Sequence, residues 1–242
     1  MNTFDDNVYT RHWERLSTEI AEPSAVLAIS AHWTTNGSLV TGNDMPPTIH
    51  DFYGFPERLA TFDYPAPGSP ELAARIVDAI GSQRCAIDHS WGLDHGTWSV
   101  LARMYPSAQV PVLQLSLDLS LPAKEHMAVG AALQPLRNEG VLIIGTGNVV
   151  HNLGAMNRSL EHEAYDWAGR FDRQVQQLMT SAPGELPAVM RGEDWQRSAP
   201  TPEHFLPLLY ISGLAASGNQ GAQVTIEGAM FGSLTMTSYL VN

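Results

Sequence analysis

Residues 25–31 read AVLAISA and run straight into His32-Trp33. The run is uninterrupted by charge and has the length of a strand rather than a helix. It does not alternate between apolar and polar, so both faces are covered, as in the parallel sheets of α/β proteins. Upstream, Tyr9, Trp13, Leu16 and Ile20 recur at helical spacing. Downstream, residues 43–70 carry Pro46, Pro47, Pro56, Pro65, Pro67 and Pro70. Such a long loop in a compact domain is usually functional. Ser69 as N-cap and Pro70 at the first helical position open a helix to about residue 80.

The alternation continues to the C-terminus. Strands are expected at 84–88, 112–117 and 141–145. Helices are expected at 97–105, 122–138 (kinked at Pro135), 164–179 and 202–216, and two last strands at 224–227 and 234–241. Strands alternating with helices predict an α/β fold with a central mixed, largely parallel sheet flanked by helices. No repeat or linker divides the chain, so residues 1–242 read as a single domain.

Composition narrows the partners. The chain has 242 residues, 44% of them apolar and 16% charged, with a net charge of −12. A field of that sign repels phosphate, which argues against nucleic acid and anionic membranes. One cysteine, Cys85, excludes a disulfide framework and a thiolate zinc site and suits a reducing cytoplasm. The start MNTFDDNVYT lacks a signal-peptide pattern. The most apolar later stretch, 205–216, falls short of the ~18 residues of a membrane span.

Several motifs fail. There is no P-loop and no G-x-S-x-G elbow, and GTGNVV at 145–150 lacks the third glycine of a dinucleotide loop. His162-Glu163 begins like a zincin helix, but Asp166 stands where the second histidine is required. Histidines remain. His32 and His151 follow strands, and the carboxyl ends of parallel strands are where α/β sheets bind ligands. His204, in T-P-E-H, reads as the third residue of a helix, where the dipole favours neutral imidazole, the metal-binding form. For each of these the plain alternative is a hydrogen-bonded histidine at a strand or helix end. His95 lies in W-G-L-D-H-G-T-W, where Trp91 and Trp98 could wall an aromatic pocket, or it is a turn histidine bonded to Asp94. His50 is a lid residue or packs its loop. His12, His89, His126 and His162 read as surface, and the acids of 161–179 as a solvated face.

Six motifs in order then carry a resemblance: S-A-H-W at 30–33, P-P-T-I-H-D-F at 46–52 with G-F-P at 54–56, Y-P-A-P-G-S-P at 64–70, W-G-L-D-H-G-T-W at 91–98, G-N-V-V-H-N at 147–152 and P-T-P-E-H-F-L-P-L-L-Y at 200–210. Together they resemble the class III extradiol ring-cleavage dioxygenases, in the 4,5-DOPA dioxygenase branch, over essentially the whole chain. The resemblance implies an enzyme that opens a catechol such as L-DOPA with O2 at one divalent metal, by 4,5-cleavage to seco-DOPA. Zinc is the ion usually assigned in the family, whereas the chemistry calls for Fe2+. It implies His32 and His204 as metal ligands and places His151 at the same site, as a further metal ligand or as the acid–base residue. His95 would orient substrate or O2, with His50 and Trp91 on the substrate side. A neutral imidazole with a reference pKa near 6.5 suits taking a catechol proton and returning it later.

The family begins with a strand running into G-H-G-S-P, whose histidine is another ligand, and MNTFDDNVYTRHWERL resembles the family's segment just after that motif. The sheet is therefore expected to lack its first strand. A start codon placed too late is the first explanation, and a truncated, metal-deficient pseudoenzyme or binding protein is the alternative. The exposed sheet flank would encourage a homo-oligomer. A zinc hydrolase ranks third, for want of a general-base glutamate.

Overall fold

The computed structural model describes residues 3–52 and 57–242, which leaves G-F-P at 54–56 outside them. The helices are α1 (Val8–Glu19), α2 (Glu57–Ala60), α3 (Pro70–Ile80), α4 (His95–Met104), α5 (Ala123–Ala132), α6 (Gln134–Arg137), α7 (Asp166–Ser181), α8 (Trp195–Ser198) and α9 (Leu206–Ser217). The strands are β1 (Ala25–Thr35), β2 (Ser38–Thr41), β3 (Cys85–Asp88), β4 (Val112–Asp118), β5 (Val141–Thr146), β6 (Gln223–Ile226), β7 (Ala229–Met230), β8 (Leu234–Thr235) and β9 (Ser238–Leu240). They belong to two compact units, Met1–Ser120 with Pro135–Thr146, and Leu121–Gln134 with Gly147–Asn242.

The first unit holds a five-stranded sheet in the order β3-β2-β4-β1-β5. β1 pairs in parallel with β4 and β5, and β2 with β3, while β2 meets β4 antiparallel. This is the α/β, mostly parallel sheet expected. The AVLAISA run is buried throughout and sits between two partners. Trp98, Leu93, Leu101, Val26, Val112 and Tyr64 form the core against it. Trp98 is thus a core residue, fully buried, with its indole N–H donating to the Ile49 carbonyl at 2.9 Å. It is not a pocket wall.

β1 continues past residue 31, so His32 lies inside the strand rather than after it. The register breaks there. Between the pairs Ile29↔Leu115 and Thr34↔Leu117, five steps of β1 match two of β4. Pairing to β5 stops at Ser30↔Thr146. His32 therefore stands on a bulged segment free of the ladders, the kind of irregularity that re-aims a side chain.

The second unit packs α5 on α9, and α7 and α9 on a 3₁₀ segment over Pro183–Arg191. Two small antiparallel pairs, β6 with β9 and β7 with β8, complete it. The expected strand over 234–241 is split between β8 and β9. The expected helix over 122–138 is not merely kinked but divided into α5 and α6. Pro135 has no N–H to give and its ring crowds the preceding turn. The helix expected from 202 starts at Leu206. Residues 201–205 form turns in which the Phe205 and Leu206 amides both donate to the Pro202 carbonyl. His204 therefore precedes the helix rather than standing in its first turn, so the dipole argument made for it from sequence does not hold.

Three surface assignments also change. His12 and His126 are buried, and His126 Nδ1 lies 3.0 Å from the Tyr210 hydroxyl. Asp172, on the supposedly solvated α7, is buried as well.

Candidate active site

In the first unit three side chains converge. The bulge presents His32, and α4 presents His95 as its first residue, two positions earlier than the sequence suggested. Their ring centroids are 3.9 Å apart. Between them stands Asp51, from the proline-rich loop. Its Oδ1 takes His95 Nδ1 at 2.8 Å and the His95 backbone amide at 3.1 Å, and its Oδ2 lies 3.4 Å from His32 Nδ1. A carboxylate only accepts, so His95 carries its proton on Nδ1. Burial pushes the Asp51 carboxyl up, but the His95 hydrogen bonds and the two imidazoles outweigh it and hold the pKa below the ordinary value. Phe52 meets the His95 ring edge-on at 5.4 Å.

The loop that supplies Asp51 is pinned. Ile49 N–H donates to the Leu93 carbonyl at 2.7 Å and Leu93 N–H to the Pro47 carbonyl at 2.8 Å. Below the site, fully buried Asp94 caps α4 through Thr97 N–H. It also accepts from Ser30 Oγ at 2.8 Å and Gln114 Nε2 at 2.7 Å. Burial raises its pKa against those bonds. His95 therefore pairs with Asp51 rather than with its neighbour Asp94.

In the second unit His151 and His204 stack, with ring centroids 3.4 Å apart and planes 5° from parallel. The backbone forces this approach. His151 N–H donates to the Ser198 carbonyl at 2.8 Å, and Asn148 N–H to the His204 carbonyl at 3.0 Å. Gly147 makes the second contact feasible, because a Cβ there would fall 2.2 Å from the His204 oxygen. Burial lowers the His151 pKa, with Glu203 pulling the other way, so the ring is neutral near pH 7. A cavity of about 410 Å3 nearby is lined by Asn152, Tyr165, Trp167 and Arg197 among others, and neither His151 nor His204 is among its walls.

Two further candidates sit in aromatic surroundings. His50 Nε2 lies 2.8 Å from the Phe62 carbonyl, and its ring stands edge-on to Phe52 at 5.9 Å. Trp91 stacks on Trp33 at 5.5 Å. The histidines thus form two clusters, His32 with His95 and His151 with His204, one per unit. Asp51 was missed by sequence reading. Its only local signal is its place beside His50 in T-I-H-D-F, and its partner His95 lies 44 positions away.

The donor chemistry fits a divalent metal. His32, Asp51 and His95 offer ligand atoms all within 4.8 Å of one another. Imidazole and carboxylate donors suit iron and zinc alike.

Residues 3–241 match the family model described as the catalytic LigB subunit of aromatic ring-opening dioxygenase. The chain is 44% identical to a 4,5-DOPA dioxygenase extradiol of Escherichia coli K12, over 98% of this chain and 89% of that protein. It is 41% identical to a 4,5-DOPA dioxygenase extradiol of Beta vulgaris, over 90% and 82%. A crystal structure of an uncharacterized Escherichia coli K12 protein superposes with a TM-score of 0.85 at 38% identity, covering 98% of this chain and 93% of that one.

Proposed function

We infer function from membership: the chain belongs to the family of the catalytic LigB subunit of aromatic ring-opening dioxygenase and is an extradiol dioxygenase. We propose that its substrate is a catechol such as L-DOPA, opened by O2 between C4 and C5 so that both oxygen atoms enter the yellow product seco-DOPA. We propose His32 and His204 as ligands of one divalent metal, with His151 a third ligand in a resting zinc form and released from the ion, its lone pair open to a proton, in the catalytic iron form. When bound, that ion would anchor both catechol oxygens and pass electrons between ring and O2, which suits Fe2+ and not Zn2+.

The chain's own groups supply the proton chemistry. Buried and neutral, His151 is able to accept the catechol proton at a ring nitrogen and give it back as the ring opens. His95, held by Asp51, orients the substrate or O2. Phe52 walls that side, and His50 and Trp91 are proposed to meet the substrate. The observation that carries this reading is a neutral histidine stacked on a second one within a family of ring-opening enzymes.

The test is O2 uptake and product absorbance with L-DOPA and Fe2+. His151→Ala is expected to lower kcat by about 10²–10⁴-fold, the usual worth of an acid–base group. His32→Ala and His204→Ala are expected to lose bound metal. Absence of O2 uptake with any catechol in the Fe2+-loaded protein would sink the proposal. The relatives' names do not favour the alternative of a metal-deficient binding protein.

We further propose a single catalytic domain over 1–242. The chain passes between its two compact units at 120/121, 134/135 and 146/147, a pattern unlike two domains joined end to end. Among the described residues no helix is long and apolar enough to cross a membrane. A cytoplasmic location, small-molecule partners rather than nucleic acid, and self-association into a homo-oligomer complete the proposal.

A further inference from the structure

Asp51 touches both imidazoles of the first unit, yet the proton chemistry proposed for His151 makes no use of it. Its two oxygens divide the work. Oδ1 receives the side-chain and backbone N–H groups of His95, and Oδ2 faces His32 Nδ1. The carboxylate and the His95 ring are about four-fifths buried and the His32 ring about three-quarters, so water competes poorly for these contacts.

We propose that Asp51 is a positioning residue that holds His32 and His95 through one carboxylate, fixing each ring with its proton on Nδ1 and a bare Nε2. This rests on the reading of His32 as a metal ligand. A ligating imidazole needs a lone pair on the nitrogen that meets the ion, and a carboxylate at the other nitrogen keeps the proton there. The same carboxylate sets the same tautomer in His95, so the metal-holding ring and the substrate-side ring are oriented by one group. The backbone supports the arrangement. Asp51 is braced by the Ile49–Leu93 and Leu93–Pro47 hydrogen bonds. Its bond to the His95 amide ties it to the first turn of α4, whose third amide, that of Thr97, is capped by Asp94.

Asp51→Asn separates this role from mere packing. A carboxamide has one accepting oxygen, so it keeps one Nδ1–H partner and turns an N–H₂ group on the other ring. That ring must move its proton to Nε2 or swing away. In 15N–1H NMR of the metal-free protein, His32 and His95 of the natural chain are expected as Nδ1–H tautomers. In Asp51→Asn one of them is expected to change. Metal affinity, read by competition with a chromophoric chelator for Fe2+ or Zn2+, is expected to fall about 10–100-fold, as for other outer-sphere partners of ligating histidines. With L-DOPA, kcat is expected to fall more than KM rises.

The inference is overturned if either ring of the natural chain is an Nε2–H tautomer, or if metal binds at Nδ1. It is equally overturned if the variant keeps both tautomers and binds metal within twofold of the natural chain. Should Asp51→Asn fail to fold, the tautomers of the natural chain decide alone. An inactive natural chain with the expected tautomers and affinities would count against the oxygenase reading and leave Asp51 standing.

Discussion

Asp94 shows how one buried side chain supports the candidate site from below. Everything that reaches its carboxylate is a donor: Ser30 Oγ, Thr97 N–H and Gln114 Nε2. Gln114 cannot simply turn over, because its Oε1 takes the Asp94 amide at 2.7 Å. Asp94→Asn would set one N–H₂ group against another, and its expected cost is about 1–3 kcal/mol, as for a buried polar group left without a partner. A urea midpoint unchanged from the natural chain would contradict this. Gly147 is a second decisive residue, for space. In Gly147→Ala the new Cβ would press on the His204 carbonyl at 2.2 Å. Overpacking of this kind costs typically about 1–3 kcal/mol, which for a chain of this size lowers Tm by roughly 2–4 °C per kcal/mol. A variant melting with the natural protein would show that the loop yields without cost.

Elements differ in how openly the chain announces them. α3 is announced at its start, since Ser69 Oγ accepts the Leu72 amide at 3.2 Å and Pro70 stands where a missing N–H is harmless. Ser69→Ala should destabilise by about 0.5–2 kcal/mol, measurable by denaturant titration; no change would mean the cap adds nothing. α9 is buried almost all round, so periodicity cannot reveal where it begins. Its fit against α5 depends on glycine. A Cβ at Gly213 would lie 2.0 Å from the Met127 carbonyl, and one at Gly130 2.1 Å from the Tyr210 carbonyl. Gly213→Ala must push these helices apart, and a markedly lower Tm is expected; an unchanged one would refute the need for close packing there.

For the molecule as a whole, acidity has consequences beyond solubility. With a net charge of −12, acids that are buried ionise reluctantly. Asp172 is one of them. Burial raises its pKa, and the bonds from Gln176 Nε2 at 2.7 Å and Thr237 Oγ1 at 2.8 Å do not fully offset this, with Glu227 adding to the rise. A folded-state pKa above the unfolded value means the native state holds the proton longer. Stability from this group is therefore complete below the unfolded value of 3.8 and is lost as pH rises through the folded one. Asp172→Asn should accordingly melt higher than the natural chain at pH 7, with the advantage closing towards pH 4. A difference that stayed constant across that range would show that Asp172 does not titrate abnormally.

Much of the fold was written locally. An uninterrupted apolar run makes β1 a buried parallel strand wherever it is placed, and the Ser-Pro start places α3. The order of strands and helices was enough for an α/β sheet, and six spaced motifs were enough for the family. Other features came only with tertiary structure, because they depend on groups far apart in sequence. The bulge that turns His32 out of its ladders, the approach of Asp51 to His95, the stacking of His151 on His204 and the burial of His126 and Asp172 leave no periodic trace. Backbone preference acts over a few neighbouring residues and is legible along the chain. The meeting of side chains is decided by how whole elements pack, and no window of sequence contains it.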